Sequence, residues 1–173
     1  MSTLMALAVS VGLLGGIATW LFLTLGSILI WGAFAAWACY FHSGGDTAAL
    51  KSTIICNIFG VICAWIAAIT ILAIPLANVL TLPLWAGIVV AITVAAYILA
   101  ARIELLSSIP GTTYGYACTF AYILQTPDRL TLDMLLSPSL NNALIVVPLS
   151  MVIGALFAFT SGKLAGAMTK ATA

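Results

Sequence analysis

Residues 4–25 of the chain, LMALAVSVGLLGGIATWLFLTL, form an apolar run without a single Asp, Glu, Lys or Arg. A bilayer core about 30 Å thick is crossed by roughly 20 apolar residues in helical conformation, so this run is typical of a transmembrane helix. A cleavable signal peptide would begin with basic residues, and none precedes this run, so we expect a retained first span. This stretch places the fold in the membrane.

The composition extends that conclusion to the whole chain of 173 residues. Hydrophobic residues make up 64% and charged residues 5%, whereas about a quarter of a soluble domain is charged. Nothing large remains for a soluble domain. The sequence predicts an all-α, polytopic transmembrane helix bundle in which residues 1–173 form a single transmembrane domain.

Five further apolar runs follow the first, separated by polar or glycine- and proline-containing breaks. With residues 4–25 they predict about six membrane segments, the others lying near 28–41, 51–74, 80–101, 105–124 and 143–160. The fifth segment contains Pro110-Gly111, which removes a backbone donor and adds a flexible residue, so we expect a broken or kinked helix there. A short amphipathic helix is expected near 130–136. No internal duplication aligns between the halves.

Basic residues predict the orientation, because short cytoplasmic loops are enriched in Lys and Arg. Six crossings place four basic residues on the side of the N-terminus and leave Arg129 alone on the other; the four are Lys51, Arg102, Lys163 and Lys170. This distribution favours cytoplasmic termini. A re-entrant fifth segment would instead give a nearly balanced count, and that alternative stays open.

The break in the fifth segment coincides with an unusual density of hydroxyl groups. Backbone groups freed by such a break cannot face lipid, so they are buried in protein or line a wet cavity. The candidate solute-lining residues are Ser108, Pro110, Gly111, Thr112, Thr113, Tyr116 and Thr119. We expect Thr112, Tyr116 and Thr119 to share one inward face of a helix that resumes after the break. The alternative is a simple kink whose hydroxyls bond their own backbone.

Three other polar residues are candidates for a role in a solute pathway. Asn57 lies inside the third apolar run, where its amide either bonds another helix or lines a path for solute. His42 and Asp46 follow the second run and are candidates for a proton-sensitive pair at a pore mouth. The alternative for this pair is a solvated loop histidine beside a helix-capping carboxylate.

Several classes of function have little basis in this sequence. A net charge of +1 provides no field to attract nucleic acid. The cysteines Cys39, Cys56, Cys63 and Cys118 show no metal-binding spacing and are interpreted as packing residues. The chain contains no recognisable catalytic constellation, so we expect no enzyme activity, cofactor or metal.

The order of these features resembles a small family of bacterial inner-membrane proteins, the YcdZ type, whose function is unassigned. The similar elements are Cys39-Tyr40-Phe41 before a Gly-Gly loop, Asn57 with Gly60-Val61 and Ala64-Trp65, Ile109-Pro110-Gly111-Thr112, Gly115 and Thr119-Phe120-Ala121. The resemblance covers nearly the whole chain and implies a compact protein of the bacterial cytoplasmic membrane. In addition, Leu80-Thr81-Leu82-Pro83-Leu84 is similar to the Leu-Thr-x-Pro-Phe core of urea transporters, with Leu84 replacing the aromatic residue.

These observations lead to two hypotheses for function. The first is a passive channel or facilitator for a small neutral polar solute such as urea, ammonia or a short amide, because hydroxyls without charge suit such solutes better than ions. The alternative is a structural or accessory subunit that packs against a partner protein. Repeated Gly-xxx-Gly spacing at Gly12/Gly16, Gly111/Gly115 and Gly162/Gly166 also predicts close helix packing and a homo-oligomer, by analogy a trimer.

Overall fold

A computed structural model describes residues 1–170, with the side chain of Lys170 outside the described residues. Over that range the structure contains eight α-helices and no β-strand, which confirms the all-α fold. The helices are α1 (Thr3–Leu25), α2 (Ile30–His42), α3 (Thr47–Ala73), α4 (Ala77–Leu80), α5 (Leu82–Ala100), α6 (Ile109–Gln125), α7 (Leu132–Leu136) and α8 (Ala143–Lys170). A 3₁₀ turn at Glu104–Leu106 precedes α6.

Four of the described helices, α1, α3, α5 and α8, are long and apolar enough to cross a membrane. Their outward side chains are large and apolar, for example Leu4 at 79% exposure and Ile92 at 64%. Such surfaces are stable in hydrocarbon and unstable in water. The protein is therefore an integral membrane protein. Helices α2 and α6 are shorter, with 13 and 17 residues, and their full crossing stays a prediction.

The interruption of the fifth segment lies slightly before the expected position. The chain leaves helical geometry at Ser107 and Ser108, and α6 then begins at Ile109. Pro110 and Gly111 therefore lie inside the first turn of α6 and do not break a continuous helix. The physical reason is that N–H groups of the first turn have no intrahelical acceptor, so a proline there loses no hydrogen bond.

The chain divides into two compact units. The first contains Met1–Ile54 together with the chain from Leu149 onward, and the second contains Ile55–Pro148. The interpretation of residues 1–173 as one domain stays a prediction.

In the first unit, α2 packs in parallel against α8. A Cβ atom on Gly154 of α8 would overlap the carbonyl oxygen of Ala33, so only glycine permits this approach. The Ser150 hydroxyl accepts a hydrogen bond of 2.9 Å from the N–H of Leu29, just before α2. Phe22 of α1 packs edge-to-face on Phe157 of α8 with ring centroids 5.7 Å apart, in one core with Ala18, Ala33, Trp37, Tyr40, Ala49 and Ala158.

In the second unit, α6 packs in parallel against residues 55–73 of α3 and antiparallel to α5. The loop after α6 is held by hydrogen bonds from two side chains. The indole N–H of Trp65 donates to the Leu135 carbonyl at 2.8 Å. The Asn142 amide donates to the carbonyls of Leu135 and Ser137, and its oxygen accepts the N–H of Leu144. These bonds satisfy buried backbone groups in the loop and at the start of α8.

The two units share a plan that was not legible in the sequence. Each contains a long helix, then a break, then a short helix, namely α1 with α2 and α5 with α6. In each unit the short helix lies in parallel against a long helix that is remote in the chain, through a glycine packed on a backbone carbonyl. Close packing at one glycine constrains few other residues of a helix, so two units can share this plan without similar sequences.

Candidate functional site

The candidate site is the crossing of α3 and α6 in the second unit. A Cβ atom on Gly60 of α3 would overlap the carbonyl oxygen of Thr112, and one on Gly115 of α6 would overlap the carbonyl oxygen of Asn57. Each glycine follows the polar residue of its own helix by three positions, so both helices present one turn with a polar residue and a glycine. Close backbone approach of this kind favours Cα–H···O contacts between transmembrane helices.

The first turn of α6, which contacts α3, is fixed by a helix cap and by small or rigid residues. The Ser108 hydroxyl caps the helix and accepts the N–H of Gly111 at 3.2 Å. Pro110 occupies the first turn and is exposed. Gly111 is buried, and a Cβ atom on it would lie 2.9 Å from the Cβ of Cys56, so this position also needs a small residue.

Two polar side chains at the crossing are buried without a partner. Asn57 is 1% exposed, and within residues 1–170 neither its amide nitrogen nor its amide oxygen has a hydrogen-bond partner. Thr112 is likewise 1% exposed, and its hydroxyl has no partner. Nearly all buried polar atoms in proteins are paired, so three unpaired atoms at one helix crossing require an explanation. Without a partner, each such group costs about 1–3 kcal/mol.

The other hydroxyls of α6 are engaged. Thr119 donates to the carbonyl of Gly115 at 2.9 Å, within its own helix. Thr113 donates to the carbonyl of Ile109 at 2.9 Å and lies 3.2 Å from the hydroxyl of Tyr97 on α5. The hydroxyls of Tyr116 and Thr93 are 2.8 Å apart. The alternative of backbone-bonded hydroxyls therefore describes Thr113 and Thr119, and it does not describe Thr112.

The face on which Thr112, Tyr116 and Thr119 were expected to align is buried along its length. Thr113 and Pro110 lie on the exposed side of α6. The structure therefore places Gly111, Thr112, Tyr116 and Thr119 on the buried side of α6. Asn57 lies on the turn of α3 that faces it. Whether these residues line a path for solute stays a prediction.

The two candidates for a pore mouth lie in the first unit. His42 is the last residue of α2 and is exposed. Asp46 is exposed, and its carboxylate accepts the N–H of Ala49 at 2.7 Å in the first turn of α3. This bond is the helix-capping role that was weighed as the alternative for Asp46.

Three residues that shape the site were not singled out from the sequence. Gly60 was noted only as part of a resemblance, although Asn57-x-x-Gly60 and Thr112-x-x-Gly115 share one spacing. Thr93 and Tyr97 supply the hydroxyls that engage Tyr116 and Thr113. Their spacing of four residues places them on one face of α5, and this periodicity was the available signal.

The chemistry of the crossing is that of neutral hydrogen bonding. Helix α6 and residues 55–73 of α3 contain no Asp, Glu, Lys or Arg. Among the described residues, no group of three His, Cys, Asp or Glu side chains is arranged to hold a metal ion. The thiols of Cys39, Cys56 and Cys118 are buried and that of Cys63 is half-buried, and none of the four forms a disulfide in the part of the chain that the structure describes.

Comparison with known proteins places the chain in a family and supplies no activity. No curated protein and no solved structure matches it. A family model described as a protein of unknown function, DUF1097, matches residues 8–166, which includes every element of the crossing. The expected membership of a family without an assigned function is confirmed, and the resemblance to the YcdZ type and to urea transporters stays a prediction. The chain belongs to the DUF1097 family of proteins of unknown function.

Proposed function

We propose that this membrane protein is a passive pathway for a small neutral polar solute of the urea, ammonia or short-amide class. The observation that carries the proposal is the set of three unpaired polar atoms of Asn57 and Thr112 on the two sides of the α3–α6 crossing. An unpaired polar group in a membrane helix is costly, and a visiting solute that hydrogen-bonds removes that cost.

The donors and acceptors of the crossing suit this class of solute. The Asn57 amide offers two N–H donors and an acceptor, and the Thr112 hydroxyl offers a donor and an acceptor. Urea and short amides carry both kinds of group. An ion would instead have to lose its hydration shell beside α6 and residues 55–73 of α3, which supply no opposite charge.

Two further observations support a transport role. Each unit pairs a short helix with a remote long helix, and a repeated plan of short and long segments is common among membrane transport proteins. The similarity of Leu80-Thr81-Leu82-Pro83-Leu84 to urea transporters guides the choice of solute. In the structure Pro83 lies in the first turn of α5. With this function we also propose six crossings, cytoplasmic termini, residence in the bacterial cytoplasmic membrane and no catalytic activity.

The proposal is tested by stopped-flow light scattering of proteoliposomes against urea, ammonia, formamide and acetamide. The informative variant is Thr112→Val, which keeps the shape of the side chain and deletes the unpaired hydroxyl. Its matched control is Thr119→Val, which deletes a buried hydroxyl of the same helix that bonds its own backbone. We expect at least one solute to permeate faster than through empty liposomes, with flux per folded protein lowered by Thr112→Val and maintained by Thr119→Val.

Permeability equal to that of empty liposomes for every solute would overturn the proposal. The same holds if Thr112→Val and Thr119→Val changed the flux equally, because the unpaired atom would then have no special role. In that case stoichiometric capture of a partner protein from mild detergent would favour the alternative, a structural or accessory subunit.

A further inference from the structure

The outer side of α6 borders an apolar cleft whose lining includes neither Asn57 nor Thr112, the two residues on which the solute proposal rests. This cleft has a volume of about 430 Å³, within the range of small-molecule sites. It is lined by Ile71, Leu82, Ala86, Val90, Tyr116, Ala117, Phe120, Leu124 and Leu130. Its side chains present carbon to the interior of the cleft, since the Tyr116 hydroxyl is directed to Thr93. An apolar chain would be bound there by contact alone.

A polar cavity of about 410 Å³ adjoins the cleft at the end of α6. The two share Leu124 and Leu130 in their linings, so the apolar space continues into the polar one. The polar cavity is lined by Ile123, Leu124, Gln125, Thr126, Pro127, Asp128, Leu130 and Thr131. A ligand that filled both would have an apolar tail and a polar head.

The charge of the head group follows from the lining of the polar cavity. Asp128 is the charged residue of this lining, it is exposed, and no hydrogen bond or ion pair engages its carboxylate among the described residues. Its φ of 61° is a left-handed conformation that Asp tolerates better than most residues. The neighbouring Arg129 is directed elsewhere, because its guanidinium donates to the Asn141 side chain at 3.3 Å.

We propose that these two cavities form one binding site for an amphiphile with a single alkyl chain and a cationic ammonium head. The chain occupies the apolar cleft between α5 and α6, and the head lies against Asp128. The chain enters the cleft from lipid and not from water, so its affinity comes from van der Waals contact with the walls of the cleft. The carboxylate provides selectivity, because an anionic head of the same size would meet a like charge.

Trp85 offers a direct readout, because it is buried in one cluster with Ile71, Ala86 and Phe120, which line the cleft. The full chain in nanodiscs is titrated with bromine-tipped dodecyltrimethylammonium, whose bromine quenches indole fluorescence on contact. Bromine-tipped dodecyl sulfate is the probe of opposite charge. The component of quenching that disappears in Trp85→Phe is the signal from the cleft.

We expect the ammonium probe to quench Trp85 at a lower concentration than the sulfate probe. Asp128→Asn should lower the affinity for the ammonium probe about two- to fivefold, which is the effect of losing an exposed charge pair. Asp133→Asn is the matched control, because Asp133 is exposed nearby and does not line either cavity. Ala117→Leu should displace both probes by filling the cleft, whereas Ala91→Leu on an exposed face of α5 should not.

Three results would overturn the proposal: equal quenching of Trp85 by both probes, no quenching of Trp85 by either, and equal effects of Asp128→Asn and Asp133→Asn. The solute proposal rests on Asn57 and Thr112, which line neither cavity, so the permeation result and the binding result do not decide each other.

Discussion

Gly60 of α3 lies so close to the carbonyl of Thr112 on α6 that no Cβ atom fits between them. The reciprocal contact brings Gly115 against the carbonyl of Asn57. Each glycine thus packs on the polar residue of the opposite helix, which holds the unpaired groups of Asn57 and Thr112 at one level of the two helices. The packing of the crossing and its polar character therefore have the same origin.

Replacement of Gly60 by alanine should destabilise the folded protein. The added methyl group meets backbone, which cannot rotate away, so α3 and α6 must separate, and overpacking of this kind costs about 1–3 kcal/mol or more. Gly115→Ala should behave in the same way. The control is Gly87→Ala on α5, where nothing lies within 4 Å of an added Cβ. Thermal unfolding in mild detergent measures the effect, and similar melting temperatures for all three variants would contradict the packing described.

Asn57→Leu should stabilise the protein and suppress solute flux. Leucine has the same branched arrangement of four side-chain heavy atoms as asparagine, with bulkier methyl groups at its ends, and removes two buried polar atoms that have no partner, each costing about 1–3 kcal/mol. Stability and activity should therefore change in opposite directions, as is common at functional sites. Thermal unfolding and stopped-flow permeation on one preparation measure both. A loss of stability in Asn57→Leu would mean that the amide is satisfied by a bound group.

Asn142→Ala should destabilise the second unit by about 2–4 kcal/mol. The Asn142 side chain is 4% exposed and makes three hydrogen bonds to backbone groups of Leu135, Ser137 and Leu144. Its loss removes the side-chain partner of the Ser137 carbonyl and of the Leu144 N–H, while the Leu135 carbonyl keeps its bond from Trp65. The control is Asn141→Ala, because Asn141 is exposed and its side chain accepts a single bond from Arg129. Hydrogen exchange of residues 130–145 should rise in Asn142→Ala and change little in Asn141→Ala.

We expect a homo-oligomer, with a trimer as the specific prediction, and α1 offers a surface for it. Nothing lies within 4 Å of a Cβ atom added at Gly12 or Gly16, so this pair is open, whereas Gly111 and Gly115 are used inside the second unit. Gly12→Ile should therefore lower the oligomeric state without unfolding the chain. Gly87→Ile on α5 is the control, since Gly87 is equally open. Native mass spectrometry from several mild detergents decides the state, and a monomer in all of them would contradict the prediction.

Much of the secondary structure was predictable, because a helix in lipid must satisfy its own backbone and apolar runs therefore mark helices directly. Runs predicted at residues 4–25 and 80–101 correspond to α1 and α5 within two residues at each end. The ends of α3 and α8 were less accurate. Helix α3 begins four residues earlier than predicted because Asp46 caps it, and α8 continues ten residues beyond the predicted end.

The polar residues of the candidate site were predictable from the sequence, whereas their local helix geometry was predictable only in part. Asn57 and Thr112 stood out because polar groups in apolar helices are costly wherever they lie. Pro110 was assigned to a break inside the helix, since a sequence does not specify the turn of a helix in which a proline falls. Pro110 lies in the first turn of α6 because Ser108 caps the helix. Other residues of this stretch could also have begun the helix.

The sequence by itself determined that this protein is a bundle of membrane helices with neutral hydroxyls concentrated in one of them, because transfer free energies depend on composition and not on partners. Only the tertiary structure decided which hydroxyl is unpaired. Thr112 and Thr119 are the same residue type on the same face of α6, yet the Thr119 hydroxyl donates to the carbonyl of Gly115 and the Thr112 hydroxyl has no hydrogen-bond partner among the described residues. The pairing of Gly60 with Thr112 likewise required the fold, because it joins residues more than fifty positions apart whose contact depends on how two helices cross.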